Sequence, residues 1–325
     1  MTLDPLELEA QLGATAFATR RGLTGDTGVA LPPLVDHHVH LHLIDDRALV
    51  DGGIAAVVDL GGDPTALAHP PRRALPRRSY AGAFLTAPGG YPSGRSWAPD
   101  EIVHVVSSAS RHEGEPGGAE TAVAEQIGFG ASVIKVALNS DAGAVFDRET
   151  LEAIVDAAHD RGVPVVAHAQ GPGMTRLALR AGVDVLAHTP FSEELGPRLI
   201  AAAAAGQRWI STLDIHRDDP VARATALANL TAFAAAGGSV LYGTDLGNGD
   251  LPLGLNVREI AALFAAGLDG AAVVEALTDP WPLSTPSTAI ATFVPGAPPS
   301  APDDLAAWLA TADIVLTEEL AHDND

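Results

Sequence analysis

Short apolar runs alternate with helical patterns along most of the chain, and this rhythm restricts the fold more than any other feature. Residues 34–40, 54–60, 80–85, 132–138, 164–168, 185–188, 209–213 and 240–243 are too short and too continuously apolar for helices. Such runs suit parallel strands buried on both faces. Between them, residues 149–161 place Leu151, Ile154, Val155 and Ala158 at i, i+3, i+4 and i+7, the spacing of one helix face. Asp147 stands where it can cap this helix, and Gly162 ends it ahead of Pro164. Residues 172–181, 192–205, 221–236 and 257–266 repeat the theme. Eight alternations over about 240 residues match the size and rhythm of a (β/α)8 barrel. A doubly wound open sheet is the competing architecture, but no G-x-G-x-x-G turn follows the first run.

The ends break this rhythm. Residues 5–20 read as an amphipathic helix, 297–301 as a Pro-rich loop, 312–316 as a last strand and 317–325 as an acidic, frayed tail. The expected division is an N-terminal helix and lead-in over 1–30, a barrel over 31–290 and a C-terminal segment packing on it over 291–325. The acidic opening MTLDPLELEA has no apolar h-region, and no apolar run is long enough to span a membrane. A cytoplasmic protein is expected. Lys plus Arg number 19 against 41 Asp plus Glu, a net charge of −22 that repels phosphate backbones and anionic membranes. Neither nucleic acid nor membrane is therefore an expected partner. The expectation is a homo-oligomer acting on a small molecule. No cysteine is present, which excludes disulfides and thiolate metal sites together. Any metal must be held by His, Asp, Glu or a modified side chain.

Polar residues recur at the ends of the apolar runs. In the first, Asp36, His38 and His40 share one face because side chains alternate along a strand. Two imidazoles one pleat apart can grip one divalent ion; a surface histidine cluster gives the same pattern. Placement at the C-terminal rim of a barrel, where active sites sit, favours the metal. His37 falls on the opposite face and His42 beyond the strand. Lys135 lies in the fourth run, His168 and His188 close the fifth and sixth, and Asp245 follows the eighth. Ionisable groups in such places are costly unless paired or metal-bound. Lys135 is also the only lysine of a chain otherwise supplied with arginine. Arginine matches lysine as a cation but cannot do amine chemistry. Chance survival of one lysine is the competing explanation.

The set Asp36-x-His38-x-His40, Lys135, His168, His188 and Asp245 resembles the amidohydrolase superfamily. The phrases around it, LPPLVD at 31–36, VIKV at 133–136, GVPVVAH at 162–168, GVDVLAH at 182–188 and GTD at 243–245, look like its imidazolonepropionase-like branch. The resemblance covers roughly residues 30–290. It implies an α/β fold with a (β/α)8 barrel. It also implies His38, His40 and Asp245 on one metal and His168 and His188 on a second. Lys135 would bridge the two as a lysine N-carboxylated by carbon dioxide. The resemblance thus implies two divalent ions, with Zn²⁺ the first choice and Mn²⁺, Co²⁺ and Fe²⁺ as alternatives. A metal-bridging hydroxide would cleave a C–N amide bond, with Asp245 and Lys135 as catalytic residues and Asp245 shuttling the proton. Asp36 could stand behind a ligand, orienting an imidazole. Cyclic amides, dipeptides and N-acyl amino acids are candidate substrates. The alternatives are an ester or lactone hydrolase, a one-metal heterocycle deaminase and a non-catalytic metal-binding barrel. Family members usually carry a β-sandwich formed by the termini; only 37 residues precede His38, so here it is expected to be reduced or absent.

Substrate contacts are less legible. GGYPSGRSW at 89–97 can form a rim loop in which Tyr91 and Arg95 meet substrate, with Arg95 holding a carboxylate; an ordinary Gly/Pro turn reads the same way. His216 follows the seventh run and is assigned to substrate. His69, His104, His112, His159 and His322 lack strand-end placement and read as surface or structural. The pairs Arg72-Arg73 and Arg77-Arg78 read as a solvated loop.

Overall fold

The computed structural model describes residues 4–70, 75–285 and 287–322. It is a mixed α/β fold with three sheets among the described residues. β1 (Phe17–Arg21) and β2 (Thr27–Leu31) form an antiparallel hairpin. β3 (Val35–Val39), β4 (Ala56–Asp59) and β5 (Arg77–Tyr80) form a parallel sheet. A second parallel sheet comprises β6 (Phe84–Thr86), β7 (Val103–Val105), β8 (Ile134–Asn139), β9 (Val165–Gln170), β10 (Val185–Leu186), β11 (Arg208–Ile210) and β12 (Ser239–Leu241). Its order is β12-β11-β10-β9-β8-β6-β7. The chain closes with β13 (Ile290–Pro295), β14 (Asp313–Leu316) and β15 (Leu320–His322).

All eight apolar runs contain strand. The third is split between β5 and β6, because each piece pairs with a different sheet. β7 was not anticipated; it pairs only with β6, at the sheet edge. Main-chain hydrogen bonds join both edges of the small sheet to the large one. On the β3 side, His37 N donates to Tyr242 O (3.0 Å) and His40 N to Leu246 O (2.8 Å). On the β5 side, Ser132 N donates to Tyr80 O (2.9 Å). Strands enclosed this way are buried on both faces, which is why their sequences do not alternate.

Helices cover the outer side. Arg148–His159 buries Leu151, Ile154, Val155 and Ala158, the residues of the expected stripe. Each such aliphatic side chain, fully buried, contributes about 1.5–3 kcal/mol. Its cap is Asp147, which accepts from Thr150 N at 2.7 Å. Further round, Trp209 on β11 stacks on Phe233 of helix Pro220–Ala235 at 3.8 Å between centroids.

The termini depart most from expectation. The N-terminal helix covers Pro5–Leu12 only, and Gly13 (φ 89°) turns the chain away. Residues 17–21 then form β1 rather than more helix, because there they gain main-chain partners on both sides, β2 and β15. The acidic tail is correspondingly ordered as far as β15. Order β14-β13-β2-β1-β15 makes one five-stranded antiparallel sheet from both ends of the chain. The terminal β-structure is thus a single layer. Leu31 and Val294 of this sheet share one core cluster with Leu8, Leu12 and the parallel strands. Arg72 and Arg73 lie outside the described residues. Arg78 is ion-paired with Asp46.

Candidate metal centre and active site

β3 brings four buried polar side chains, Asp36, His37, His38 and, just past its end, His40, into the fold interior, and each makes different use of its atoms. Asp36 does not orient an imidazole. Its Oδ1 accepts from His38 N (3.1 Å) and Thr244 N (3.0 Å), and its Oδ2 from Thr244 Oγ1 (2.6 Å). It therefore clamps β3 to the segment after β12. Burial pushes its carboxyl up to about 7, against the pull of these hydrogen bonds. His37 turns away and places Nδ1 at 2.7 Å from Tyr242 O and Nε2 at 3.0 Å from Asp279 O.

His38 and His40 are arranged otherwise. Nδ1 of His38 is 2.8 Å from Ala187 O, and Nδ1 of His40 is 3.0 Å from Gly61 O. A carbonyl only accepts, so each Nδ1 carries a proton and each ring, when neutral, presents an Nε2 lone pair. Both lone pairs face Asp245 Oδ1, at 3.1 Å from His38 and 3.2 Å from His40. Burial holds His38 well below its ordinary pKa. In His40 burial is outweighed by Asp245, which raises the pKa. In Asp245, burial is outweighed by its histidine neighbours, so the carboxyl lies well below the usual range and is ionised. Three acceptors thus converge within 4.8 Å of one another in a buried place. A proton relieves one of the two contacts, whereas a cation relieves both. The donor set therefore fits a divalent ion, with imidazole and carboxylate suited to zinc.

His168, His188 and Lys135 stand beside this group. Ring centroids are 4.8 Å apart for His38–His188 and 5.0 Å for His168–His188. Nε2 of His168 is 3.2 Å from Asn139 Nδ2 and 3.3 Å from Gln170 Oε1. His188 Nδ1 is 2.9 Å from Thr212 Oγ1. Thr212 and Asp245 are the described non-glycine residues with positive φ, 41° and 58°. Such backbone costs on the order of 1–3 kcal/mol, and it occurs here at a ligand candidate and at the residue bracing another. Lys135 is 1 % exposed, and burial lowers its amine to about 7. An amine so placed is partly neutral and nucleophilic at physiological pH.

All six residues line one cavity of about 420 Å³. Tyr91 also lines it, stacked on His168 at 5.0 Å. Arg95 does not line it; it is exposed, with its guanidinium 5.9 Å from the Tyr91 ring centroid. His216 lines the cavity, packs on Phe191 at 4.3 Å, and leaves its buried Nε2 without a partner. His42 lies in the turn Leu41–Leu43, 6.0 Å from His40. His69 reaches Thr65 O, His104 reaches Glu125 and His159 reaches Asp184, all remote from the cavity.

Sequence reading missed the support behind His216. Glu259, fully buried, accepts from Leu213 N (2.9 Å) and Asp214 N (2.7 Å). Asn256 Nδ2 and Arg258 both donate to Asp214. One helix start thus holds the turn that carries His216. An acid at the third position of an apolar helix was the available signal. Gln170 and Asn139, joined at 3.0 Å, were missed as well.

No protein-family model and no curated protein sequence matches the chain. Solved structures do. A Xaa-Pro dipeptidase with bound methionine matches with TM-score 0.67 and 18% identity, covering 90% of this chain and 86% of that one. A prolidase complexed with N-methylphosphonate-L-proline gives 0.63 and 20%, over 90% and 86%. Phenylurea hydrolase B gives 0.62 and 15%, over 90% and 85%. What this chain shares with them is the fold.

Proposed function

We propose that this chain is a metal-dependent hydrolase of C–N amide bonds in small molecules, of the amidohydrolase superfamily, built on a closed (β/α)8 barrel. The observation that carries the reading is the convergence of two Nε2 lone pairs and one carboxylate oxygen, each fixed from behind. The residue set of the superfamily and the fold of several amide-bond hydrolases support it. Cross-sheet hydrogen bonds on both edges of the small sheet support closure of the barrel.

His38, His40 and Asp245 would hold one divalent ion, and His168 and His188 a second, with Lys135 between them. Bound there, the ions would acidify a water and polarise the scissile carbonyl. The protein's own groups do the rest. Ala187 O and Gly61 O fix the tautomers of His38 and His40. Asp245 keeps Oδ2 on Asn248 Nδ2 at 2.8 Å, which orients it as the proton carrier towards the departing nitrogen. The neutral Nζ of Lys135 adds to carbon dioxide and loses one proton, giving a carbamate whose oxygens are ligands that an ammonium cannot supply. Arginine cannot do this, so Lys135→Arg should lose the binuclear site, bind fewer than two metals per chain and lose activity. Lys135→Ala should be partly rescued by acetate or propionate. Elemental analysis with an amide panel, before and after chelation, tests the reading. Full metal occupancy in Lys135→Arg would refute the bridge.

A further inference from the structure

The cavity over the candidate metal residues has aromatic walls and a single cationic side chain. Phe84, Tyr91 and Trp97 form a connected group, with centroids 6.1 Å apart for Phe84–Trp97 and 5.9 Å for Tyr91–Trp97. Phe191 adds a further face beside His216 and His188. Among the described lining residues Lys135 is the only Lys or Arg, and the proposed function commits its amine to the metals. Arg95 stands outside the lining, and Arg217 is paired with Asp218 at 3.5 Å. Outside the candidate metal ligands, the other polar side chains of the lining are a phenol, an imidazole and two amides, those of Tyr91, His216, Gln170 and Asn248.

A carboxylate on the substrate, away from the scissile bond, would be desolvated against these aromatic walls with no Arg, and no Lys besides Lys135, among the described lining residues to pair with it, which is costly. A flat apolar ring instead gains stacking and desolvation. The unpartnered Nε2 of His216 lacks one hydrogen bond that a substrate can supply. We infer that the site takes an uncharged, ring-bearing amide, whose polar edge His216 Nε2 hydrogen-bonds, and rejects the same scaffold carrying a carboxylate. This rests on the proposed hydrolase activity.

The test uses fully metal-loaded enzyme and matched pairs that differ in charge but hardly in shape. The pairs are 4-acetamidobenzamide against 4-acetamidobenzoate, read by release of acetate, and the N-methylamide of N-benzoylglycine against N-benzoylglycine, read by release of benzoate, so that only the amide bond common to both members is scored. The uncharged member of each pair should have a kcat/KM at least tenfold higher, and Arg95→Ala should leave that ratio unchanged. His216→Ala should lower kcat/KM for the uncharged member while metal content stays full. Equal or better turnover of the carboxylates overturns the inference and leaves the hydrolase reading standing; loss of that turnover in Arg95→Ala would identify Arg95 as the anchor. Absence of turnover for every compound removes the hydrolase reading and the inference together.

Discussion

His37 and its neighbours His38 and His40 lie on one stretch of chain, all buried, yet they face different surroundings. His37 has a main-chain carbonyl at each nitrogen, Tyr242 O and Asp279 O. His38 and His40 have a carbonyl at Nδ1 and an ionised carboxylate at Nε2. The contrast extends to the two ends of the parallel strands. The cavity by the strand starts, about 370 Å³ and lined in part by Val35, Ala56 and Trp281, has no His, Asp, Glu or Lys in its described lining. The cavity by the strand ends is lined by His38, His40, Lys135, His168, His188 and Asp245. Burial alone therefore does not distinguish a structural histidine from a functional one. What distinguishes them is the nitrogen that the main chain leaves over.

Three substitutions and one pH profile press on this contrast. The largest effect is expected for His38→Ala, which removes a lone pair that nothing else supplies. Activity should fall about a thousandfold or more, several kcal/mol of barrier, with loss of metal by elemental analysis. Undiminished metal content would erase the difference between the two kinds of histidine. His37→Asn should do the converse, retaining metal while lowering the unfolding free energy by about 1–3 kcal/mol in urea titration, the cost of an unsatisfied buried carbonyl. Next is Glu259→Gln, which puts an amide N–H against main-chain donors and loosens the turn of His216. A drop of about tenfold in kcat/KM at constant metal stoichiometry is expected, roughly 1.4 kcal/mol.

The smallest effect is a slope. Burial depresses His37 to about 4 from an ordinary 6.5, a cause larger than the carbonyls and Asp279 that oppose it; Arg208 adds to the depression. Between those values the unfolded chain binds the proton and the folded chain does not. Stability should thus rise with pH through this window and be progressively lost as pH falls from 6.5 towards 4. Urea midpoints measured from about pH 4 to 7 should depend less on pH in His37→Asn than in the parent.

The parallel strands and their rim residues were legible because two independent signals coincide there. An apolar run such as 164–168 marks a strand, and a histidine at its end is anomalous unless it has work to do. The termini offered no such coincidence. β1 reads FATRR, an edge-like pattern, and its partners β2 and β15 include one about 300 residues away in the chain, so no local period could announce it. Asp36 was legible as polar and buried, but its bonds run to Thr244, beyond the reach of spacing. His216 was found by position, whereas Glu259 behind it was hidden inside an apolar helix face.

Lys135 has a consequence for anyone handling the protein. With the only lysine side chain 1 % exposed at the floor of the cavity, the outer surface offers no lysine to an acylating dye, an aldehyde cross-linker or a carbamylating impurity. Reagents of that kind, which elsewhere map surfaces, would at this one lysine time the opening of a single chamber, in enzyme whose Lys135 amine is not carboxylated. A slow, stoichiometric lysine adduct would be a clock for breathing of the strands around it, and whatever occupies the chamber would be read as a delay on that clock.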